Sequence, residues 1–260
     1  MVPHHTRSLA QRFLVGTLAG GLAAAAAATA VTPGWAAPAG QAQLQALESA
    51  LNSSGESALR PLLQAGPGLD PELLERRHRL MRQRFPDARW QVSPGTPLRN
   101  GQPTVLVRVQ GTRRQGSHNY RLSSEQLLRL ESDGRHINGQ TVLREQSLLH
   151  SGSRALPVSL LIPDAVLTGQ RYDVDVIFDE PLEGALVAGG ITAVGNDQLA
   201  ALDSPDIELA ALGGGGLFKS VQAPLAPGSQ TWAVLLVHPD GIVSATKRVR
   251  VVADRQALQP

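Results

Sequence analysis

The chain contains no cysteine. Disulfides, thiolate metal sites, cysteine nucleophiles and an N-terminal lipid-modified cysteine are thereby excluded. Lysine is nearly absent and stands only at Lys219 and Lys247, so the positive charge is carried by arginine. Aromatic residues make up 3% of the chain, so its cores must be built from Leu, Val and Ala. A large charge of one sign is also missing. The formal net charge is +2. From Gln41 to His150 there are 15 Arg against 10 acids, a balance of +5. From Ser151 to Pro260 there are 7 basic residues against 12 acids, a balance of −5. A nearly neutral chain of two opposed halves does not suit bulk nucleic-acid binding.

Met1 to Arg12 carries Arg7 and Arg12 without an acid, and Phe13 to Val31 is an uncharged run rich in Ala and Gly. Thr32-Pro33-Gly34 breaks the run, and small residues follow to Ala39. This is the order of a secretory signal peptide over residues 1–39, with cleavage after Ala37 or Ala39. Without a twin-Arg pair, the general secretory route is expected, and the product is periplasmic or secreted. An uncleaved N-terminal anchor is the alternative, because the run approaches spanning length. After cleavage no integral membrane domain is expected.

The 260 residues suffice for one large or two ordinary domains. Leu44, Leu47 and Leu51 recur at helical spacing, as do Leu59, Leu62 and Leu63. Asp70-Pro71 is a helix start signal, and a helix is predicted to run to about Phe85. Residues 89–92 form a short predicted strand. Three long strands follow over 104–114, 120–132 and 135–149, with Asn138-Gly139 marking a bulge. The most regular strand of the chain lies between Leu167 and Pro181. Tyr172, Val174, Val176 and Phe178 share one of its faces, and Arg171, Asp173 and Asp175 share the other, with Ile177 as the exception. Further strands are predicted at 158–162, 186–194, 207–212, 217–221, 231–238 and 242–252, with a Pro239-Asp240-Gly241 turn closing the last hairpin.

The order of helices, short strand and three long strands resembles the nuclear transport factor 2-like, or SnoaL-like, cone over residues 41–150. That resemblance implies a curved antiparallel sheet around helices and a pocket. The pattern Leu167-x-Gly169-x-x-Tyr172-x-Val174-x-Val176, with the closing hairpin, resembles bacterial immunoglobulin-like and fibronectin type III-like domains over residues 157–253. The expected fold class is therefore α+β. N-terminal helices would pack on a curved antiparallel sheet, followed by an all-β immunoglobulin-like sandwich.

Chemistry is sparse. Gly213 to Ser220 reads GGGGLFKS, but Phe218 occupies the second glycine position of a phosphate loop and no long helix can follow. Asp173 and Asp175 share an outward strand face without a loop to complete a calcium shell, and Asp203, Asp206 and Glu208 are a similar weak group. His78, His118, His136, His150 and His238 form no HxH, HxxxH or HExxH pair. No Gly-x-Ser-x-Gly elbow is present. No catalytic residue, cofactor or metal is expected.

Two groups remain. Tyr120, Ser124, Gln126 and Glu145 fall on apolar strand faces and would be polar groups in a ligand pocket if those faces line a cone. Arg76, Arg79 and Arg82, on the helix over 72–85, would meet an anionic surface, although the same pattern describes a solvated face. The expected role is a non-catalytic binding or interaction module of the cell envelope, with another envelope protein or a polysaccharide as partner. A small-molecule-binding protein or enzyme using the cone cavity is the alternative, and membrane docking through the basic helix is a further one.

Overall fold

The computed structural model describes residues 37–258, save 56, 117, 153–155 and 181–184. The predicted signal segment lies outside the described residues up to residue 36. Ala37–Pro38 is a short strand, β1. Helix α1 spans Gln41–Asn52 and helix α2 spans Pro71–Arg84. Asp70 caps α2, its Oδ1 accepting from the backbone N–H groups of Glu72 and Leu73 at 3.0 and 3.1 Å. That satisfies two of the four orphan donors of a helix start. The strands are β2 (Arg89–Pro94), β3 (Val105–Gln115), β4 (His118–Ser132) and β5 (Ile137–Gly152). They continue with β6 (Val158–Leu161), β7 (Ala165–Leu167), β8 (Arg171–Phe178) and β9 (Ala188–Val194). Helix α3 (Asn196–Ala201) precedes β10 (Ala210–Ala211), β11 (Gly216–Gln222), β12 (Gly228–His238) and β13 (Gly241–Val252).

Half of the described residues are strand and 17% are helix. The α+β expectation is therefore corrected to a mostly antiparallel β protein. One reason is local. The helix predicted around Leu59, Leu62 and Leu63 is only a 3-10 turn at Arg60–Leu62, because Pro61 lacks the N–H that a longer helix needs. The other reason is tertiary. One sheet runs in the order β10-β9-β12-β13-β5-β4-β3-β2, with β1 on β4 and β7 parallel to β13. Strand β5 is 16 residues long and has a partner on each side, β4 along its length and β13 over residues 145–152. The N-terminal strands do not close into a cone. They extend through β5 into the C-terminal half, and the SnoaL-like expectation is withdrawn.

The second sheet has three strands in the order β11-β8-β6. Its inward residues Tyr172, Val174, Val176 and Phe178 pack on Trp232, Val234, Leu236, Val243 and Ala245 of β12 and β13. Two facing sheets with a shared apolar core result, a layout compatible with a β-sandwich. Alternation along β8 buries these four side chains and leaves Arg171 and Asp173 exposed. The opposite face of the large sheet is covered by helices. Leu44, Leu47 and Leu51 of α1 and Met81 of α2 join Val105, Val107, Val109, Leu122 and Leu128 in one core. Leu80 of α2 packs against Val194, Leu202, Ile207, Ala233 and Leu235, so a single helix touches the apolar cores of both halves.

The bulge expected at Asn138-Gly139 is present. The β4–β5 register shifts between Glu131 and Ser132, pairing Gly139 and then Ile137 and leaving Asn138 extra. Where β5 ends, Gly152 has φ +132, and a Cβ there would lie 2.3 Å from the Asp240 carbonyl oxygen. Only glycine lets β5 pass this close to the β12–β13 turn.

Candidate functional site

Cross-strand register assembles a polar row at the seam of the two halves. Val107 of β3 faces Gln126 of β4, Gln126 faces Glu145 of β5, and Glu145 faces Arg248 of β13. The neighbouring row on the same face places Ser124 opposite Ser147 and Ser147 opposite Thr246. Ser147 and Thr246 hydroxyls are 2.6 Å apart. All these side chains except that of Arg248 belong to buried residues.

The centre of the row is Glu145, only 2% exposed. The Gln126 side-chain amide donates to its Oε1 at 2.6 Å. Arg248 Nη1 lies 3.8 Å from its Oε2, and that oxygen has no hydrogen bond. Burial raises the Glu145 carboxyl above its ordinary range, opposed by Arg248, the Gln126 hydrogen bond and Arg77. Arg77 reaches down from α2 and is itself 5% exposed. Its pKa is lowered to about 10, chiefly by burial, so it stays charged at neutral pH. Its Nη2 donates to the Leu199 carbonyl at 3.2 Å, and the neighbouring Arg76 donates to the Ala200 carbonyl at 2.8 Å. Both carbonyls belong to the last turn of α3, where intrahelical partners are missing.

Sequence reading placed Gln126 and Glu145 together, and they are hydrogen-bonded neighbours. Ser124 lies one row away, its Oγ donating to the Gln146 carbonyl at 3.2 Å. Tyr120 lies further along the same face of β4, 9% exposed and beside the His118 ring at 6.4 Å. The four do not surround one pocket. A cavity of about 40 Å³ sits between the helices and the sheet, lined by Leu47, Leu51, Leu69, Val107, Leu128 and, alone of the four, Gln126. A small-molecule site is typically ~300 Å³ or more. Sequence reading missed Arg77 and Arg248. Arg77 is one of five arginines of α2, a pattern that by itself reads as a solvated face. The available signal was its spacing, four residues after Leu73 and four before Met81, on the apolar stripe of the helix.

The basic row on α2 is broken up. Arg76 is held by the Ala200 carbonyl, Arg82 lies over the Trp90 ring with its carbon 5.8 Å from the centroid, and Arg79 is exposed. The histidines are dispersed. His78 is buried beside Trp90 and its Nε2–H donates to the Leu51 carbonyl at 2.7 Å. Burial lowers its pKa despite that bond. His150 Nε2–H donates to the Leu156 carbonyl at 3.0 Å. His136 packs against Asp133 at a turn. No described histidine contacts Glu145, and no group of three potential metal ligands occurs among the described residues.

Gly216–Gln222, at the glycine-rich stretch, is the edge strand β11. Its register with β8 sets Phe218 opposite Asp175, and the register of β6 with β8 sets Leu161 opposite the same Asp175. Leu161 and Phe218 are 56% and 69% exposed. Asp173 accepts from Ser220 Oγ at 2.5 Å on the same outward face.

Residues 153–252, from the end of β5 to the end of β13, match the model of a family described as a domain of unknown function (DUF8623). No curated protein matches the chain.

Proposed function

We propose that the chain is an exported, non-catalytic binding protein of the cell envelope. Its contact face is the outward side of the β6-β8-β11 sheet. The observation that carries this reading is the row Leu161–Asp175–Phe218, two exposed large apolar side chains flanking a carboxylate. An exposed aromatic and an exposed leucine in one row of a sheet face favour a protein partner. Asp173 and Asp179 lie beside them on an acidic half of the chain, so the partner is an envelope protein with an apolar centre and a basic rim. The C-terminal half is read as immunoglobulin-like. The chain leaves the small sheet after β6, joins the large one at β7, and β7 runs parallel to the last strand β13. The N-terminal half serves as its scaffold. Its most buried carboxylate among the described residues, Glu145, is held by the Gln126 amide and lies near Arg77 and Arg248, and the cavity nearby is small and mostly apolar.

Deleting the C-terminal half would remove β13 from β5 and strip the partner of a buried strand, so the test uses surface substitutions. Wild type and the double variant L161S/F218S are used as bait in the periplasmic fraction, and bound proteins are assayed at low and high salt. One captured protein lost both with the double variant and at high salt supports the reading. An unchanged partner, or a captured protein insensitive to both, overturns it. Concentration-dependent self-association abolished by F218S would replace the envelope partner with a second copy of this chain.

A further inference from the structure

A groove of about 260 Å³ lies between the C-terminal turn of α1, the following loop and one face of α2. Ser53, Ser54 and Gly55 form one wall, and Glu75, His78, Arg79 and Arg82 form the other, with Ala58 and Leu59 as apolar floor. Glu75, His78, Arg79 and Arg82, with Gln83 beside them, follow the i, i+3, i+4, i+7 spacing of one helix face, where apolar residues are the norm for a face turned toward protein. Here that face holds one carboxylate and two guanidinium groups. Among the described residues none of the three lies within ion-pair distance of an opposite charge. Glu75 Oε1 and Arg82 Nη1 are covered by protein yet have no hydrogen-bond partner. Each group thus has one covered polar atom left without a hydrogen bond, where a ligand's charge acts strongly.

The groove is also preorganised. Arg82 is seated on the Trp90 ring, and His78 is fixed by its Nε2–H bond to the Leu51 carbonyl. Burial favours the neutral ring, in which this bond fixes the Nε2–H tautomer and leaves Nδ1 as an acceptor. Glu75 and Arg82 are separated by about 10 Å along the helix axis, with Arg79 between them. Charges of both signs in one confined space do not suit an anionic membrane surface, which Glu75 would repel. We propose that this groove binds a small zwitterion of amino-acid size. Its carboxylate would lie against Arg79 and Arg82, and its ammonium group toward Glu75 and the serine hydroxyls.

The test is a backbone amide NMR titration of the full protein with L-alanine, acetate and ethylammonium. L-Alanine should give saturable shifts at Ser53, Ser54, Gly55 and the α2 amides, with a Kd of about 1 mM or tighter. Acetate and ethylammonium should each bind at least about tenfold more weakly, because each engages one pole of the site. E75Q should reduce L-alanine binding to the level of acetate, and R79Q should weaken both. Arg79 is exposed, so R79Q keeps the fold even if R82Q does not. Absence of saturable shifts with L-alanine overturns the proposal. So does acetate binding as tightly as L-alanine, which would mark a plain anion site. Unchanged L-alanine affinity in E75Q or R79Q overturns it as well.

Discussion

Glu145 is the sharpest place to test how the two halves are held together. Replacing it by alanine removes the acceptor for the Gln126 amide and leaves Arg77 and Arg248 facing the seam without an anion. Removing one member of a buried charged cluster costs about 3–5 kcal/mol. For a protein of this size each kcal/mol lowers Tm by roughly 2–4 °C. E145A should therefore lose roughly 6–20 °C, a large part of the whole stability of an ordinary domain. E145Q keeps the shape and an acceptor for Gln126, and should cost less. Its pH dependence carries the information. Burial raises the Glu145 carboxyl above its ordinary range, so the folded state holds the proton more tightly than the unfolded chain. The stability linked to this group is fully present below the ordinary carboxylate pKa and is lost as pH rises through the folded value. Urea unfolding of wild type and E145Q across that window, taken as a difference, cancels the other carboxylates. The destabilisation by E145Q should shrink as pH rises from acid to neutral. A destabilisation that grows with pH would mean that pairing with Arg77 and Arg248 outweighs desolvation, and would refute the reasoning.

Other perturbations probe separate links. Tyr172 OH accepts from Trp232 Nε1–H at 2.9 Å and donates to Gln230 at 2.7 Å, so Y172F strands a buried indole N–H. Chemical denaturation should show a loss of about 1–3 kcal/mol. At Gly152, G152A meets both an unfavourable φ and the Asp240 carbonyl, and should cost at least about 1–3 kcal/mol. Hydrogen exchange should then show lost protection at the β5–β13 ladder before the β3–β4 ladder. Because β5 is hydrogen-bonded to both β4 and β13, thermal unfolding should be one transition by circular dichroism and by Trp fluorescence. Two separate transitions would show that the halves are independent. F218S, on an exposed face, should change stability by less than about 0.5 kcal/mol while abolishing partner capture.

Several elements were readable from local chemistry. Asp70-Pro71 announced α2, and the alternation of Tyr172, Val174, Val176 and Phe178 announced both the strand β8 and its buried face. Asn138-Gly139 announced a bulge. Each of these is decided within a few residues by capping, period-two burial or turn geometry. The helix around Leu59 failed because leucine spacing was given more weight than Pro61. Helix α3 was missed because six residues carry too little periodicity to be seen. The α+β assignment failed for a different reason. Residues 41–150 read as a self-contained unit, but the apolar, alternating β5 pairs along a second edge with β13.

The candidate site divides in the same way. Placing Gln126 and Glu145 together needed only the polar residues on two adjacent apolar strand faces. Joining them to Arg77 and Arg248 needed the tertiary structure, because these residues lie 49 or more positions from Gln126 and arrive from a helix and from the last strand. The sequence alone determined the absence of thiol chemistry and the faces of individual strands, both of which follow from composition and nearest neighbours. The tertiary structure decided that the two halves share one sheet, that Arg77 is a buried seam residue rather than a solvated one, and that Leu161 and Phe218 flank Asp175. Strand pairing is a long-range choice. Every rung of a ladder satisfies backbone groups that any residue carries, so local sequence names a strand without naming its neighbour.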